Sequence, residues 1–563
     1  MSSPTLPQND PDQDARRRLL EDRRAKYAWD HEFMAPLALL YEPGTNHPSL
    51  RQALVDWRFG LLPPDTNPGM HYLFARLHSL EDLAKNSIRT YGISKKKAFS
   101  SISEYSEVFK SLPRPPVVDF WQDDAEFAWQ RVAGTNPNVL TRISHLAPWH
   151  HLKNQHLPML RNLQLELAAG HIYVCDYSIL EGLPPISDEF GTRYSVPTVG
   201  YFLATDDGLK PLAIQVGLDE TSPIYTPDDG GAWLMAKICM QSNDLNHHEM
   251  ATHLIGTHFL LEGCAVAAAR TLSTRHPISV LLVPHFRILL WNNFEGRELL
   301  TNPGGMVSKL LAGGVDGALQ TVQRFVSGYP ARNILAWTFD RWDLPKELDR
   351  RGLTQLAQCP YAEDGRKVWD AIYEFLGNYL RLYYGSDDAV RRDTELQAWV
   401  AELSSDAGGK FRGVEPVQDI PGLTRFLTRI IFTSGPQHSN VNFGQYQYMA
   451  YTPNMPAALY ALPPANAASF TAEQMDAFLL DLLPPPGRAL FQLTVVTELT
   501  SYRFDELGAY QDGDFVDAGA LAVVRQFEAK LHQINGEICA QNARRRRAYD
   551  LFLPTEILNS TSI

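Results

Sequence analysis

Apolar residues recur at intervals of three and four along most of the chain after about residue 80, which is the pattern of helices with one buried face. The clearest stretches are residues 77–88, 231–273, 367–384, 394–405 and 520–552. Strand-like patterns are few, and two of them, residues 196–205 and 210–217, are close enough to form a hairpin. The sequence therefore predicts a mainly α protein with a small β subdomain.

The longest helical pattern, from about residue 229 to 272, contains His253 and His258 at a spacing of five. Five residues at about 100° each overshoot one turn by about 140°, so a regular helix would direct the two imidazoles to different sides. A π-bulge, in which backbone hydrogen bonds join residues i and i+5, brings the fifth residue back over the first, and such bulges are frequent at functional sites. We therefore predict a long central helix with a π-bulge between Leu254 and Thr257.

The composition is that of a folded globular protein. Of the 563 residues, 44% are hydrophobic and 11% are aromatic, which is enough for a large buried core. No long linker and no repeat of fixed period divides the sequence, so we expect one large domain, residues 42–563, after an N-terminal extension, residues 1–41. The formal net charge of −13 argues against a nucleic-acid partner, because such proteins normally carry a basic excess.

Cysteine usage and the N-terminal sequence indicate the compartment. The five cysteines are scattered and none is part of a CxxC pair, so we expect reduced thiols and no thiolate metal site. The first residues lack the apolar centre of a signal peptide, and the most apolar later run is interrupted by proline, histidine and arginine. We expect a soluble cytoplasmic protein.

Residues 13–41 are predicted to be helical and change from a charged half to an aromatic and aliphatic half. One interpretation is an amphipathic helix on an anionic membrane surface, with basic residues beside Tyr27, Trp29 and Phe33. The other is an additional helix that packs on the body of the protein. The sequence leaves both interpretations open.

A second group of candidate metal ligands lies in SGPQHSNVNFGQYQY, residues 434–448, where His438 and Asn442 share one helical face at a spacing of four. Imidazole nitrogens with an amide oxygen suit non-haem iron with an open position better than a closed structural zinc site. The HExxH motif of zinc peptidases is not present, because four residues separate His248 and His253. The ExxH repeat of di-iron bundles also fails, since Thr252 stands three residues after Glu249.

Taken together, these motifs resemble those of the lipoxygenases. The pattern His248-x4-His253-x4-His258-x17-His276-x8-His285, followed by HSNVNFGQYQY and a terminal NSTSI, is similar to that family, and lipoxygenase-like sequence extends from residue 123 to the end. The resemblance implies a large helical catalytic domain that binds one iron. The ligands it implies are His253, His258, His438, Asn442 and the main-chain carboxylate of Ile563, with water or hydroxide in the sixth position. It implies supporting hydrogen bonds for His248, His276, His285, Gln445 and Glu249.

The same resemblance implies a reaction. A lipoxygenase removes hydrogen from the doubly allylic methylene of a 1,4-pentadiene in a polyunsaturated fatty acid such as linoleate and adds O2 to the radical, giving a hydroperoxide. In NNFEGRELL, Gly296 occupies the position where glycine usually accompanies R products and alanine S products. Leu300 matches the leucine that covers the pentadiene. We therefore expect R stereochemistry.

The sequence also departs from the family pattern. Before residue 110 we find no period-2 strands of the β-barrel with which many lipoxygenases begin, so we expect a minimal, bacterial-type lipoxygenase. Leu558 stands where proline usually precedes the terminal Asn-Ser. The ending YDLFLPTEILNSTSI is apolar enough to dock inside the body, as a metal-binding terminus must.

Three functions have to be distinguished for this sequence. The first is an iron dioxygenase that makes fatty-acid hydroperoxides. The second is a lipoxygenase-fold isomerase that rearranges hydroperoxides to epoxyalcohols or related oxylipins when O2 access is restricted, and Gly296 argues against that restriction. The third, a zinc hydrolase, needs ligand spacings that this sequence does not have. The dioxygenase is the preferred prediction.

Overall fold

Helices dominate the computed structural model, which describes residues 3–29, 69–157, 160, 162–301, 304–503 and 505–563, without the side chains of residues 69–79 and 298–299. The first α-helices are α1 (Gln13–Lys26), α2 (Gly69–Ser94), α3 (Asp124–Ala133), α4 (Leu163–Ala169), α5 (Gly231–His247), α6 (Leu260–Thr271), α7 (Pro277–Phe286), α8 (Leu289–Gly296), α9 (Met306–Leu310) and α10 (Gly314–Ser327). They are followed by α11 (Leu344–Arg350), α12 (Pro360–Leu380), α13 (Asp387–Arg391), α14 (Thr394–Ser404), α15 (Ile420–Phe432), α16 (His438–Met449), α17 (Ala472–Leu482), α18 (Pro486–Thr500) and α19 (Ala518–Asn542). The predicted mainly α fold is confirmed.

The β subdomain is small and antiparallel. Its strands are β1 (Thr141–Arg142), β2 (Ile172–Asp176), β3 (Ile186–Asp188), β4 (Gly191–Arg193), β5 (Thr198–Thr205), β6 (Gly208–Val216) and β7 (Ile224–Tyr225). One sheet has the order β1-β2-β5-β6-β7, and β3 pairs with β4. The predicted hairpin is β5–β6, in which Thr205 pairs with Gly208 across a two-residue turn.

The central helix spans residues 231–271 and consists of α5, a π-helical segment His248–Phe259 and α6. At the end of this segment the backbone N–H of Leu260 donates to Ile255 O, the i to i+5 bond of a π-helix. The predicted long helix with a π-bulge is therefore confirmed. The π-helical segment, at 12 residues, is longer than the single bulge that the histidine spacing required.

A second long helix, residues 420–449, lies against the central helix; we call it the downstream helix. It consists of α15, a π-helical segment Thr433–Gln437 and α16. Pro436 lies inside the π-helical segment, where its missing N–H interrupts the regular ladder. From His438 onward the helix is regular, as predicted for the spacing of His438 and Asn442.

The part of the N-terminal extension that the structure describes packs on the body. Arg16 of α1 is 2% exposed and hydrogen-bonds Asp10 and Glu395, whereas Arg17 and Arg18 are exposed. Trp29 donates to Glu402. Residues 30–41, which complete the amphipathic segment of the prediction, lie outside the described residues, and among those described the first strand begins at Thr141.

The last residues of the chain run into the interior. Residues 557–563 are all buried. Asn559 holds this segment through its backbone N–H to Asp505 O (2.7 Å) and its side-chain Nδ2 to Ala509 O (3.0 Å). The backbone N–H of Leu558 donates to Ser439 Oγ at 3.0 Å, a bond that proline at this position could not make. The docking expected from the apolar C-terminal sequence is present.

No helix in the described ranges combines the length and the hydropathy needed to cross a bilayer.

Candidate functional site

Three imidazoles meet between the central and downstream helices. His258 Nε2 lies 3.2 Å from His253 Nε2 and 3.1 Å from His438 Nε2. All three side chains are buried, and the π-helical segment places His253 and His258 on the same side of their helix in spite of their spacing. The structure thus brings together two residues of one helix with a third that is 180 positions further along the chain.

Contacts at the outer ring nitrogens, Nδ1, orient two of the three imidazoles so that their Nε2 atoms point into the cluster. His258 Nδ1 lies 3.0 Å from Asn293 Oδ1, and His253 Nδ1 lies 3.6 Å from a carboxylate oxygen of Glu249. Because an acceptor faces Nδ1, the proton of each of these rings is held there and Nε2 keeps a free lone pair. His438 Nδ1 is buried, without a hydrogen-bond partner among the described residues.

Burial keeps the three imidazoles neutral. It lowers the pKa of His258 to about 3, with a further contribution from His253. The pKa of His438 lies well below 6.5 for the same reasons, burial first and then the neighbouring histidines. The pKa of His253 is also lowered by burial, although Glu249 opposes the shift. Neutral imidazole is the form that binds metal ions.

The residues present fit a metal ion. Two nitrogens bonded at about 2.1 Å to one ion are about 3.0 Å apart when the bonds are at right angles, close to the separations found here. Without an ion, three lone pairs would face each other in a buried site with no proton between them, which is unfavourable. The three nitrogens therefore form a candidate metal centre.

Glu249 and His248 form a second cluster with His253. Glu249 lies 3.3 Å from His248 Nδ1 and faces His253 on its outer nitrogen. His248 Nε2 donates to Val441 O at 2.8 Å, which joins the central helix to the downstream helix. These contacts agree with the supporting roles expected for the two residues.

The remaining predicted ligands lie beside the cluster. Asn442 is buried one turn after His438 on α16, and its Nδ2 donates to Leu499 O at 2.8 Å. Gln445 Nε2 donates to Asn442 Oδ1 at 3.1 Å. The terminal residue Ile563 is 4% exposed and lines the same cavity as His253 and His258.

Two contacts keep the C-terminal segment near the cluster. His285 Nδ1 donates to Asn559 O at 2.8 Å, and its Nε2 lies 3.2 Å from the Tyr510 hydroxyl. At Gly435 of the downstream helix, a Cβ would lie only 2.6 Å from Leu558 O, so the absence of a side chain permits this close approach. His276 does not contact the C-terminal segment in this way. Its Nε2 lies 2.9 Å from Oδ2 of Asp393, which is also buried.

Sequence reasoning missed the residues that support His258. Asn293 of α8 accepts from His258 Nδ1 and donates through Nδ2 to His258 O and to Glu262 Oε2. Glu262 is in turn paired with Arg297 at 2.9 Å. Burial raises the pKa of Glu262, although Arg297 and Asn293 oppose that shift. The only signal in the sequence was a pair of asparagines after the apolar LLW of LLWNNFEG.

An apolar cavity of about 120 Å³ opens beside the histidines. The residues that line it include Leu254, Phe259, Gly296, Leu300, Met306, Leu310, Val495, Val496 and Leu499. Among the described side chains, a Cβ built on Gly296 would meet only Leu300 Cδ1, at 3.9 Å, so none of them requires a glycine here for close packing. Gly296, predicted to set product chirality, and Leu300, predicted to cover the pentadiene, thus both lie in the wall beside the candidate metal centre.

Comparisons with known proteins agree on one family. The sequence model of the family described as Lipoxygenase matches residues 70–550. The linoleate 9/13-lipoxygenase of Pseudomonas aeruginosa is 33% identical over 491 residues, which cover 82% of this chain and 70% of that protein. The human hydroperoxide isomerase ALOXE3 is 31% identical over 489 residues, which cover 84% of this chain and 67% of that protein.

The fold gives the same result. The crystal structure of a coral 8R-lipoxygenase matches with a TM-score of 0.87 and 28% sequence identity, covering 100% of this chain and 83% of that one. The family match, the buried histidine cluster on a π-helical segment and the docked C-terminus lead to one conclusion. The chain belongs to the lipoxygenase family.

Proposed function

We propose that this chain is a non-haem iron dioxygenase that inserts O2 into the 1,4-pentadiene of polyunsaturated fatty acids such as linoleate, giving hydroperoxides of R configuration. The observation that carries the proposal is the convergence of the Nε2 atoms of His253, His258 and His438 beside an apolar cavity that Ile563 also lines. Three neutral nitrogen donors next to an apolar wall suit a metal that acts on a lipid.

The iron would be held by these three histidines, by Asn442 and by the terminal carboxylate of Ile563. Neutral imidazoles, an amide and one carboxylate compensate little of the ionic charge, which favours an oxidising site. When bound, the iron supplies the one-electron redox chemistry that removes hydrogen from the doubly allylic methylene. Asn293 and Glu249 keep the two imidazoles of the central helix in one tautomer and one orientation.

The cavity excludes water and holds the acyl chain. Its side chains are mostly aliphatic, so the reactive methylene and the radical derived from it are kept away from polar groups and solvent. Entry of a long acyl chain is helped by wall side chains that can change rotamer. Met306, an unbranched and flexible side chain in the wall, is suited to that movement.

Gly296 supports the R configuration. Of the residues that the structure describes, only Leu300 comes within 4 Å of the space that a Cβ would occupy, so an O2 molecule can approach one end of a pentadienyl radical that lies under Leu300. The similar coral structure bears the name 8R-lipoxygenase. Both observations favour R products from this chain.

A hydroperoxide isomerase is the alternative, because one of the similar proteins carries that name. An isomerase activity in this fold requires that O2 is kept from the radical. The open space at Gly296 favours O2 access and therefore the dioxygenase.

Membrane contact is a further part of the proposal. The buried face of α1 is fixed by Arg16, which leaves Arg17 and Arg18 on the exposed face. Exposed arginines attract anionic headgroups. Residues 13–41 would therefore contact a membrane surface through these arginines when the enzyme takes up its lipid. Tyr27, which was predicted to face the membrane, is instead buried against the body.

The direct test is incubation of the purified, iron-loaded protein with linoleate. We expect O2 consumption and chiral hydroperoxides, measured with an oxygen electrode and by chiral chromatography of the reduced products. The same assay with a fatty-acid hydroperoxide as sole substrate separates the alternative. Turnover of the hydroperoxide without O2 uptake from linoleate would replace the dioxygenase by the isomerase, and no turnover of either would refute both.

A further inference from the structure

A second cavity lies behind the two helices that carry the candidate metal ligands, and we call it the rear cavity. It measures about 650 Å³, which is in the range of about 300–1,000 Å³ typical of small-molecule sites. Both long helices contribute to its wall, through Thr252 and Gly256 of the central helix and Thr433 and Gln437 of the downstream helix. The iron chemistry uses none of these four residues.

Positive charge predominates in the rear cavity, where five arginines and two carboxylates are among the lining residues. Three of the arginines share one carboxylate: Glu347 lies 2.5 Å from Arg350, 3.5 Å from Arg341 and 3.9 Å from Arg351. Arg332 is paired with a carboxylate of its own outside the wall. One carboxylate cannot neutralise three guanidinium groups, so the wall keeps an excess of positive charge.

Buried donors in the wall lack partners. Arg351 is 2% exposed, and its Nε, like Asn138 Nδ2 and Ser178 Oγ, has no hydrogen-bond partner in the described part of the chain. A buried donor without an acceptor has lost its hydration without compensation. Burial also lowers the pKa of Arg341, although Glu347 opposes the shift. An anion in the rear cavity would offer an acceptor to Arg351, whose Nε makes no hydrogen bond with the described residues and lies 3.9 Å from the nearest Glu347 oxygen.

Aromatic rings form another part of the wall. Trp337 and Trp342 lie edge to face with ring centroids 5.3 Å apart, and the Arg332 guanidinium lies 5.3 Å from the ring centre of Trp149. Indole faces beside guanidinium groups suit a ligand that combines a ring with an anionic group. Trp337 and Trp342 already contact Phe411 and Phe339. A ring on the ligand would extend this aromatic cluster, which a bare inorganic anion cannot do.

The rear cavity is also connected to the backbone of the π-helical segment. Trp342 Nε1 donates to Gly256 O at 2.9 Å, and Gly256 lies between His253 and His258. Asn136 accepts from the Thr252 hydroxyl at 3.1 Å. A ligand in contact with Trp342 and Thr252 would therefore restrain the segment that presents two of the candidate metal ligands.

We propose that the rear cavity binds a small organic anion, a phosphate or carboxylate attached to an aromatic ring, and that the bound anion stabilises the π-helical segment of the central helix. The proposal does not depend on the metal or on the reaction at the apolar cavity. It assigns the anion to the three arginines around Glu347 and the ring to the indole wall.

The test measures binding of three probes, phenyl phosphate, benzoate and inorganic phosphate, to the purified full-length protein by titration calorimetry and thermal shift. We expect phenyl phosphate or benzoate to raise Tm and to bind more tightly than inorganic phosphate. Arg341→Gln and Arg350→Gln should each weaken binding about ten-fold, because a charge-assisted hydrogen bond is lost. The matched control Arg366→Gln removes an exposed arginine paired with Asp370 on α12 and should bind as the wild type does.

Hydrogen exchange tests whether ligand binding in the rear cavity stabilises the π-helical segment of the central helix. Phenyl phosphate should slow amide exchange in residues 248–259 and leave residues 518–542 unchanged. Absence of binding by both aromatic anions, equal affinity for inorganic phosphate, or equal binding by the variants and the control would each overturn the proposed site. Binding without any change of exchange in residues 248–259 would overturn its link to the central helix.

Discussion

Two hydrogen bonds join Asn293 of α8 to His258 of the central helix. Asn293 Oδ1 accepts from His258 Nδ1 at 3.0 Å, and Asn293 Nδ2 donates to His258 O at 2.9 Å. The first bond sets the tautomer of the imidazole, and the second fixes the amide so that its oxygen cannot rotate away. The position of His258 Nε2 therefore depends on a residue that is 35 positions further along the chain.

Removal of this amide should weaken metal binding. For Asn293→Ala we expect metal affinity to fall by about 10–100-fold, because His258 loses the acceptor that orients it. Iron titration against a competing chelator measures the change. Asn454→Ala is the control, since it also removes a buried amide with several hydrogen bonds but touches none of the three histidines. Equal iron affinity in the two variants would show that Asn293 does not position the ligand.

The C-terminal carboxylate can be displaced without changing any side chain. A glycine added after Ile563 moves the terminal carboxylate by about one Cα–Cα step of 3.8 Å, and we expect loss of both iron and activity. Iron content by mass spectrometry and O2 uptake with linoleate measure the effect. Ile563→Val keeps the carboxylate in place and should retain iron at a stability cost of about 1 kcal/mol. Full iron loading and turnover in the extended protein would exclude the carboxylate as a ligand.

Gly296→Ala tests the origin of chirality. The added Cβ has room beside Leu300, so the variant should fold normally while its methyl group occupies the proposed O2 space. We expect a shift from R towards S products on chiral chromatography. Gly536→Ala, at an exposed glycine in α19 with open space around it, should leave the enantiomer ratio unchanged. An unaltered ratio in Gly296→Ala would contradict the assignment.

The stability of the C-terminal segment should depend on pH through His285. Burial lowers the pKa of this imidazole from 6.5 to about 4, opposed by its hydrogen bond to Asn559. As the pH falls below 6.5 the unfolded state takes up the proton first, so stability is lost down to about pH 4, by up to about 3 kcal/mol. The Tm of His285→Gln should fall less between pH 7 and pH 4.5 than that of the wild type. A calorimetric series with exposed His532→Gln as the control checks this, and parallel curves for wild type and His285→Gln would contradict it.

Membrane contact through α1 can be tested without unfolding the helix. Arg17→Gln with Arg18→Gln removes two exposed charges and leaves the buried Arg16 contacts intact. At about 1 kcal/mol for each arginine, the affinity for phosphatidylserine vesicles, measured by co-sedimentation, should fall about 30-fold. The pair Arg366→Gln and Arg525→Gln, exposed on α12 and α19, is the control. Undiminished binding in the first pair would remove α1 as the contact.

The local parts of this fold could be predicted from the sequence because they depend on periodicity. The three- and four-residue spacing predicted the helices, and the β5–β6 hairpin followed from two short apolar runs separated by a turn. The five-residue spacing of His253 and His258 predicted the π-helical geometry. The last helix shows the limit of periodicity, because the apolar pattern continued to residue 552 while α19 ends at Asn542.

The sequence by itself determined which residue types carry the chemistry and how they are spaced on each helix. Only the tertiary structure decided which helices meet. The contact of His258 with His438, the support of His258 by Asn293, the passage of Leu558 over Gly435 and the arginine-lined rear cavity all join residues far apart in the chain. Periodicity gives the buried face of one helix but not the partner of that face, because packing is decided by the shapes of all elements together.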